Sequence, residues 1–306
     1  SKAMTVRSFE GGLGGASNTV VQGGWDIRGF SITHASAVVE GLTIRGGQHQ
    51  NGCGVNMTAV LVRDCIIRNN GYSDNFTGAG VYMTGGTVSN CVITANLDNN
   101  QNAGGMYASG GLIVLCEITD NVCNGGSGGG VYLAGATIRN CLIARNTTGA
   151  TGAGVYMNSG TVESSTIVAN SAGSSGGGGI YRNSGTAGTV LNSIVYNNTA
   201  ANNPTYQNFY KTSDDNVTYT CTTLPDVDTG NNGNINDDPS FEDLAGGDYR
   251  LQYTPVISPC IDKGLNDNSW MLGATDLDGN QRIQNAGVDM GAYEAVPPAG
   301  TMFMLR

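Results

Sequence analysis

The sequence predicts an all-β fold: a parallel β-helix, or solenoid, with three short strands in each coil of about 25 residues. The first of three observations is a phrase, Asn-Cys-x-Ile-x-x-Asn, that recurs at steps of 24 to 28 residues. It runs from Asn90-Cys91 to Asn96, from Leu115-Cys116 to Asn121 and from Asn140-Cys141 to Asn146. Weaker copies run from Asp64-Cys65 to Asn70, from Ser165 to Asn170 and from Ser193 to Asn198. A repeat this short cannot bury its own apolar face, so successive copies must stack on one another. Second, the inward candidates alternate, as in Cys91 and Ile93 or Cys116 and Ile118, which is the period of a strand. Third, the load of Thr, Val, Ile and Gly disfavours helix throughout.

Taken in order, residues 1–38 read as less regular coils, with strand-like Met4-Thr5-Val6-Arg7 and Thr19-Val20-Val21-Gln22. Residues 39–198 are the regular repeats. In each coil one strand carries the Cys or Ser and the Ile or Val. A second follows a glycine run, as in Gly80-Val81-Tyr82-Met83, Gly105-Met106-Tyr107-Ala108 and Gly130-Val131-Tyr132-Leu133. A third, such as Thr87-Val88 or Thr137-Ile138, follows a small-residue turn. Coils built this way stack about 4.8 Å apart. Asn70, Asn96, Asn121, Asn146, Asn170 and Asn198 fall at one corner. There an amide can both donate and accept along a ladder, and asparagine tolerates a left-handed bend. After Asn198 the rhythm breaks. Residues 199–240 read as a loop excursion over the solenoid, 241–295 as a distinct unit capping one end, and 296–306 as a tail.

Composition narrows the function classes. Glycine, at 48 residues, is about double its average usage without a Gly-X-Y period, which indicates many tight turns. No apolar run approaches the roughly 18 residues of a membrane helix, so no transmembrane segment is expected. The start already reads as strand, so the chain reads as a mature or excised fragment. Lys/Arg and Asp/Glu number three and two in residues 1–38, six and seven in 39–200, and five and fifteen in 201–306. The whole net charge of −10 therefore sits in the last third. An acidic chain without a basic stripe is not a nucleic-acid binder.

Of the eight cysteines, Cys65, Cys91, Cys116 and Cys141 share one inward position and read as buried thiols acting as small hydrophobes. Parallel neighbouring side chains suit disulfide geometry poorly. Cys221 and Cys260 lie outside that ladder, and a disulfide between them would pin the excursion to the terminal unit. No pair has the Cys-x-x-Cys spacing of a zinc or redox site.

Several phrases resemble secreted bacterial proteins built of right-handed parallel β-helix repeats: Leu42-Thr43-Ile44-Arg45-Gly46-Gly47, Gly128-Gly129-Gly130-Val131-Tyr132 and Asn140-Cys141-Leu142-Ile143. The ending does too, through Asp238-Pro239-Ser240-Phe241, Ser258-Pro259-Cys260-Ile261-Asp262-Lys263-Gly264, Asp276-Leu277-Asp278-Gly279-Asn280 and Val288-Asp289-Met290-Gly291-Ala292-Tyr293-Glu294. It is similar to the C-terminal module that in many such proteins precedes a cell-surface anchoring signal. The resemblance implies export, a right-handed solenoid and a bacterial surface or extracellular location. It implies no activity, because β-helices serve enzymes, adhesins and passive stalks alike.

Polysaccharide lyases and hydrolases on such folds place carboxylates and a basic residue on outward positions of neighbouring strands. Here those positions hold Ile66, Val92, Glu117, Leu142, Thr166 and Ile194, then Arg68, Thr94, Thr119, Ala144, Val168 and Tyr196. Glu117 and Asp120, with Arg145 one coil on, come nearest to a catalytic group; the plainer reading is an exposed ion pair. Tyr82, Tyr107, Tyr132, Tyr156 and Tyr181 share one outward position, with Asn56 before them. That column reads as structural stacking, as a flat surface for sugar rings, or as a contact with another molecule. Asp276, Asp278 and Asn280, with Asp289 and Glu294, resemble part of a structural calcium loop; the alternative is Asp-Gly turn chemistry. No cofactor is required.

The reading is an exported structural or adhesin-like solenoid that contacts polysaccharide, or another surface component, through the tyrosines. The alternatives are a polysaccharide lyase or related carbohydrate-active enzyme, and a self-associating extracellular subunit.

Overall fold

The computed structural model describes residues 4–8, 12–71, 77–174, 176–183, 188–210, 216–223, 232–284 and 287–297. Its strands form a 15-stranded, a 9-stranded and a 5-stranded sheet, wound as a parallel β-solenoid, plus one small antiparallel pair. Like residues stack. In the 9-stranded sheet Ile67 pairs with Ile93, Ile93 with Ile118, Ile118 with Ile143, and Ile143 with Ile167. The 15-stranded sheet is two faces joined at a corner, because Val131–Arg139 and Val155–Glu163 run round it unbroken. The inward columns, among them Val81, Met83, Val88, Cys91 and Ile93, are fully buried and make one continuous apolar core.

The asparagine ladder explains the glycine runs. Asn96 Nδ2 donates to Asn121 Oδ1 at 3.0 Å, and Asn121 Nδ2 to Asn146 Oδ1 at 3.0 Å. Each of these amides also caps an interior carbonyl: Asn96 reaches Ile67 O and Asn121 reaches Ile93 O. The amides fill the space where the glycine before Val-Tyr-Met would carry a side chain. A Cβ on Gly80 would lie 2.9 Å from Asn96 Nδ2, and one on Gly130 would lie 2.9 Å from Asn146 Nδ2. The left-handed bend does not fall on the ladder residues. It falls one position earlier, on Asn69, Ala95, Asp120, Arg145, Ala169 and Asn197, with φ between 53° and 57°. A ladder amide is held by its hydrogen bonds, and the preceding residue turns the chain.

Three features of the chain's ends depart from expectation. Residues 199–210 and 216–222 form a further coil, not an excursion. Phe209–Tyr210 pairs with Ile180–Arg182, Val217–Thr218 with Gly188–Leu191, and Cys221–Thr222 with Ile194–Tyr196. In that coil Asn208 aligns with Gly179 of the coil before, and its Oδ1 accepts from Asn198 N at 2.8 Å as the last rung of the ladder. A helix, Gly12–Asn18, packs outside the 9-stranded sheet, where Thr43 Oγ1 donates to Ala16 O at 2.7 Å. The glycine-rich sequence hides this helix, since tertiary contact overrides its weak propensity.

The C-terminal unit lies alongside the solenoid, against the outer face of the 9-stranded sheet, rather than over its end. The outward Leu142, Ala144, Thr166, Val168 and Ile194 are buried there. Four of these, all but Thr166, share a second apolar cluster with Phe241, Tyr249, Leu251, Cys260, Met290, Ala292 and Tyr293. Polar pins fix the docking: Ala292 N donates to Thr166 Oγ1 at 3.0 Å, Gly291 N to Asn192 O at 2.8 Å, and Asn140 Nδ2 to Thr275 O at 3.0 Å.

Candidate functional site

The outer face of the 9-stranded sheet is where a groove enzyme on this architecture would keep its carboxylates. The docked unit covers its last four strands, from Leu142 through Ile194 to Cys221. What remains near Glu117 is a charged seam. Arg145 makes a bidentate pair with Asp120, 2.9 Å on each arm, and reaches Tyr249 Oη at 3.3 Å. Arg250 clasps Asp278 at 2.6 and 2.8 Å and Asp248 at 3.0 Å. Glu117 keeps an exposed edge, while the protein around it holds its carboxyl above the usual carboxylate range, partly offset by Arg145. Asp120 and Arg145 thus neutralise each other as a surface pair, about 0–1 kcal/mol in worth. The structure draws Glu117, Asp120 and Arg145 into one neighbourhood, with both arginines committed to other carboxylates.

The residues read as a calcium loop serve as hydrogen-bond caps. Asp276 Oδ1 accepts from the N–H groups of Asp278 and Asn280 at 3.0 and 2.7 Å, and its Oδ2 accepts from Glu294 N at 2.7 Å. Asp289 accepts from the N–H groups of Asp262 and Ala295 at 2.7 and 2.6 Å. The positive charge among them is Arg282, fully buried, which donates to Gly291 O and Asp289 O at 3.0 Å each and pairs with Glu294 at 3.2 Å. Among the described residues no group of three His, Cys, Asp or Glu is arranged to hold a metal ion.

The tyrosines form the longest ordered array on the surface. Tyr82, Tyr107, Tyr132, Tyr156 and Tyr181 stack with ring centroids 4.8–5.3 Å apart and planes within 25° of parallel. Tyr210 extends the column at 4.7 Å and 1°, and Tyr206 closes it edge-on. Sequence reading missed Tyr210 because Asn208 stands where earlier coils have the flagging glycine; Asn208-Phe209-Tyr210 is the Gly-Val-Tyr phrase in altered form. Since each interior ring covers its neighbours, the faces are used within the column. The half-buried rings turn edges and hydroxyls outward, so the strip is not the flat platform of ring faces that sugars stack on. Partial burial, then the neighbouring phenols, holds Tyr107 above the ordinary phenol range, so its hydroxyl stays a neutral donor and acceptor.

One buried carboxyl lies inside the third sheet. Asp98 pairs in register with Cys123, and its Oδ1 accepts from the N–H groups of Asn100 and Gln101 at 2.9 and 2.8 Å. Its Oδ2 has no partner among the described residues. Burial pushes this carboxyl up to about 6. A carboxyl raised in the folded state binds its proton more tightly there than when unfolded. Stability from this group is therefore full at low pH and falls as pH climbs from the unfolded value near 4 through about 6, by roughly 2–3 kcal/mol in all. Asp98→Asn should flatten that slope, which urea unfolding of both proteins at pH 4.5 and pH 8 measures.

No family model, curated protein or solved structure matches this chain.

Proposed function

We propose that the chain is an exported structural module that holds polysaccharide along its tyrosine strip. The observation that carries this reading is the unbroken column of six stacked phenols. It supplies hydroxyl groups at nearly constant spacing on a rigid wall, parallel to the coil axis, while the opposite groove face is occupied by the chain's own C-terminal unit. An extended polymer with its own regular hydroxyls meets such a row with repeated hydrogen bonds and little ordering cost on the protein side. The array needs no cofactor. The acidic last third keeps the molecule soluble without charging the strip.

Glycan-array binding tests this reading. Wild type should bind a subset of neutral polysaccharides. Both Tyr107→Ala/Tyr132→Ala and Tyr107→Phe/Tyr132→Phe should lose at least about tenfold in affinity, the equivalent of about 1.4 kcal/mol. The phenylalanine pair keeps the stack and deletes only hydroxyls, so equal binding by wild type and both variants would overturn the proposal. Incubation with alginate, pectin and glycosaminoglycans, followed by the absorbance of the unsaturated product, tests the enzymatic alternative around Glu117.

A further inference from the structure

Cys221 departs from the cysteine ladder in direction as well as in place. It pairs in register with the outward Ile194, so it sits on the outer face of the last coil; the ladder cysteines point into the core. Cys260 belongs to the unit that covers that face. Both side chains are fully buried in the same apolar cluster, close enough for their thiols to interact, and Cys221 Sγ donates to Asp237 O at 3.3 Å. Cys65, Cys91, Cys116 and Cys141 also lie close to one another, but they occupy one register on parallel strands about 4.8 Å apart, where Cβ directions do not converge. Each of the four donates to the carbonyl two residues before it, at 3.1–3.3 Å, while neighbouring ladder thiols also interact. Cys221 and Cys260 come from separate layers that pack against each other, one on the last coil and one in the unit covering it.

We propose that Cys221 and Cys260 form a disulfide that staples the C-terminal unit to the last coil of the solenoid. The bond forms by exchange with a small-molecule disulfide such as oxidised glutathione. One thiolate attacks it and expels one glutathione thiolate; the second cysteine then attacks the mixed disulfide and expels the other. Two electrons and the two cysteine thiol protons pass to glutathione, which leaves as two molecules of the reduced thiol. Because both sulfurs are buried in the folded chain, exchange precedes docking. The staple holds the covering unit over Leu142, Ala144, Val168 and Ile194. It stands independently of the tyrosine strip.

The test refolds the full chain in a glutathione redox buffer, denatures it in iodoacetamide and digests it with trypsin without reduction. Cleavage after Lys211, Arg250 and Lys263 places Cys221 in 212–250 and Cys260 in 251–263. The expected result is one linked pair of these peptides, with the other six cysteines alkylated. Reduction should lower the thermal midpoint of wild type by on the order of 10 °C and leave Cys221→Ala/Cys260→Ala unchanged. Alkylation of all eight cysteines, or linkage of any other pair, would overturn the proposal. The peptide assay is made on wild type, so it decides even if the double variant misfolds.

Discussion

Asn121→Ala is expected to destabilise the solenoid by about 4 kcal/mol, although it alters no apolar contact of the main core. The amide accepts at Oδ1 from both Asn96 N and Asn96 Nδ2, at 3.1 and 3.0 Å, and donates to Ile93 O at 2.9 Å. Alanine leaves those three groups short of a partner in a site with no solvent access. Each buried orphan costs about 1–3 kcal/mol. The matched control is Asn124→Ala, which breaks a 2.8 Å bond to Asn99 Oδ1 on the exposed rim. That change should stay within about 0.5 kcal/mol. Urea unfolding of both variants checks the contrast, and equal midpoints would mean that the ladder contributes little.

The second large effect is expected at Arg282. Arg282→Met keeps the bulk and removes the guanidinium, leaving Gly291 O and Asp289 O without its donors and Glu294 without its ion-pair partner. Breaking one side of a buried pair costs about 3–5 kcal/mol, because the Glu294 carboxyl, which burial already raises to about 9, must then be held protonated away from water. The loss should fall on the docked unit and spare the stacked coils, since a solenoid's coils depend mainly on their nearest neighbours. Limited proteolysis should therefore cut within residues 241–295 of the variant while its far-UV β signal persists. Arg282→Met/Glu294→Gln should recover part of the loss, since the amide needs no proton to be buried neutral. If the double variant is cut as fast as the single one, the ion pair is not what holds the unit together.

Most of the solenoid was legible because its repeat is written at fixed spacing. Cys91, Cys116 and Cys141 mark one inward column, and Tyr82, Tyr107 and Tyr132 one outward column, and alternation alone separates the two. Legibility failed where the spelling changed while the geometry did not. Asn208 in place of a glycine hid the coil that carries Tyr210. Ala95 and Arg145 take the left-handed bend that residue preference would assign to asparagine. For the candidate site the sequence named residues but not their commitments. Asp120 and Arg145 bond each other, and Asp276 and Asp289 are filled by backbone N–H groups.

By itself the sequence determined the winding, the register and the existence of the asparagine, cysteine and tyrosine columns. These follow from short-period alternation and from a repeat too small to stand alone. Only the tertiary structure decided that the C-terminal unit lies along the 9-stranded sheet, that Cys221 faces Cys260, and that ring faces are spent within the tyrosine column. Those outcomes depend on how surfaces far apart in the chain fit one another. No local pattern encodes that fit, because burying Leu142 or Ile194 from outside uses the same apolar letters as burying their neighbours from within.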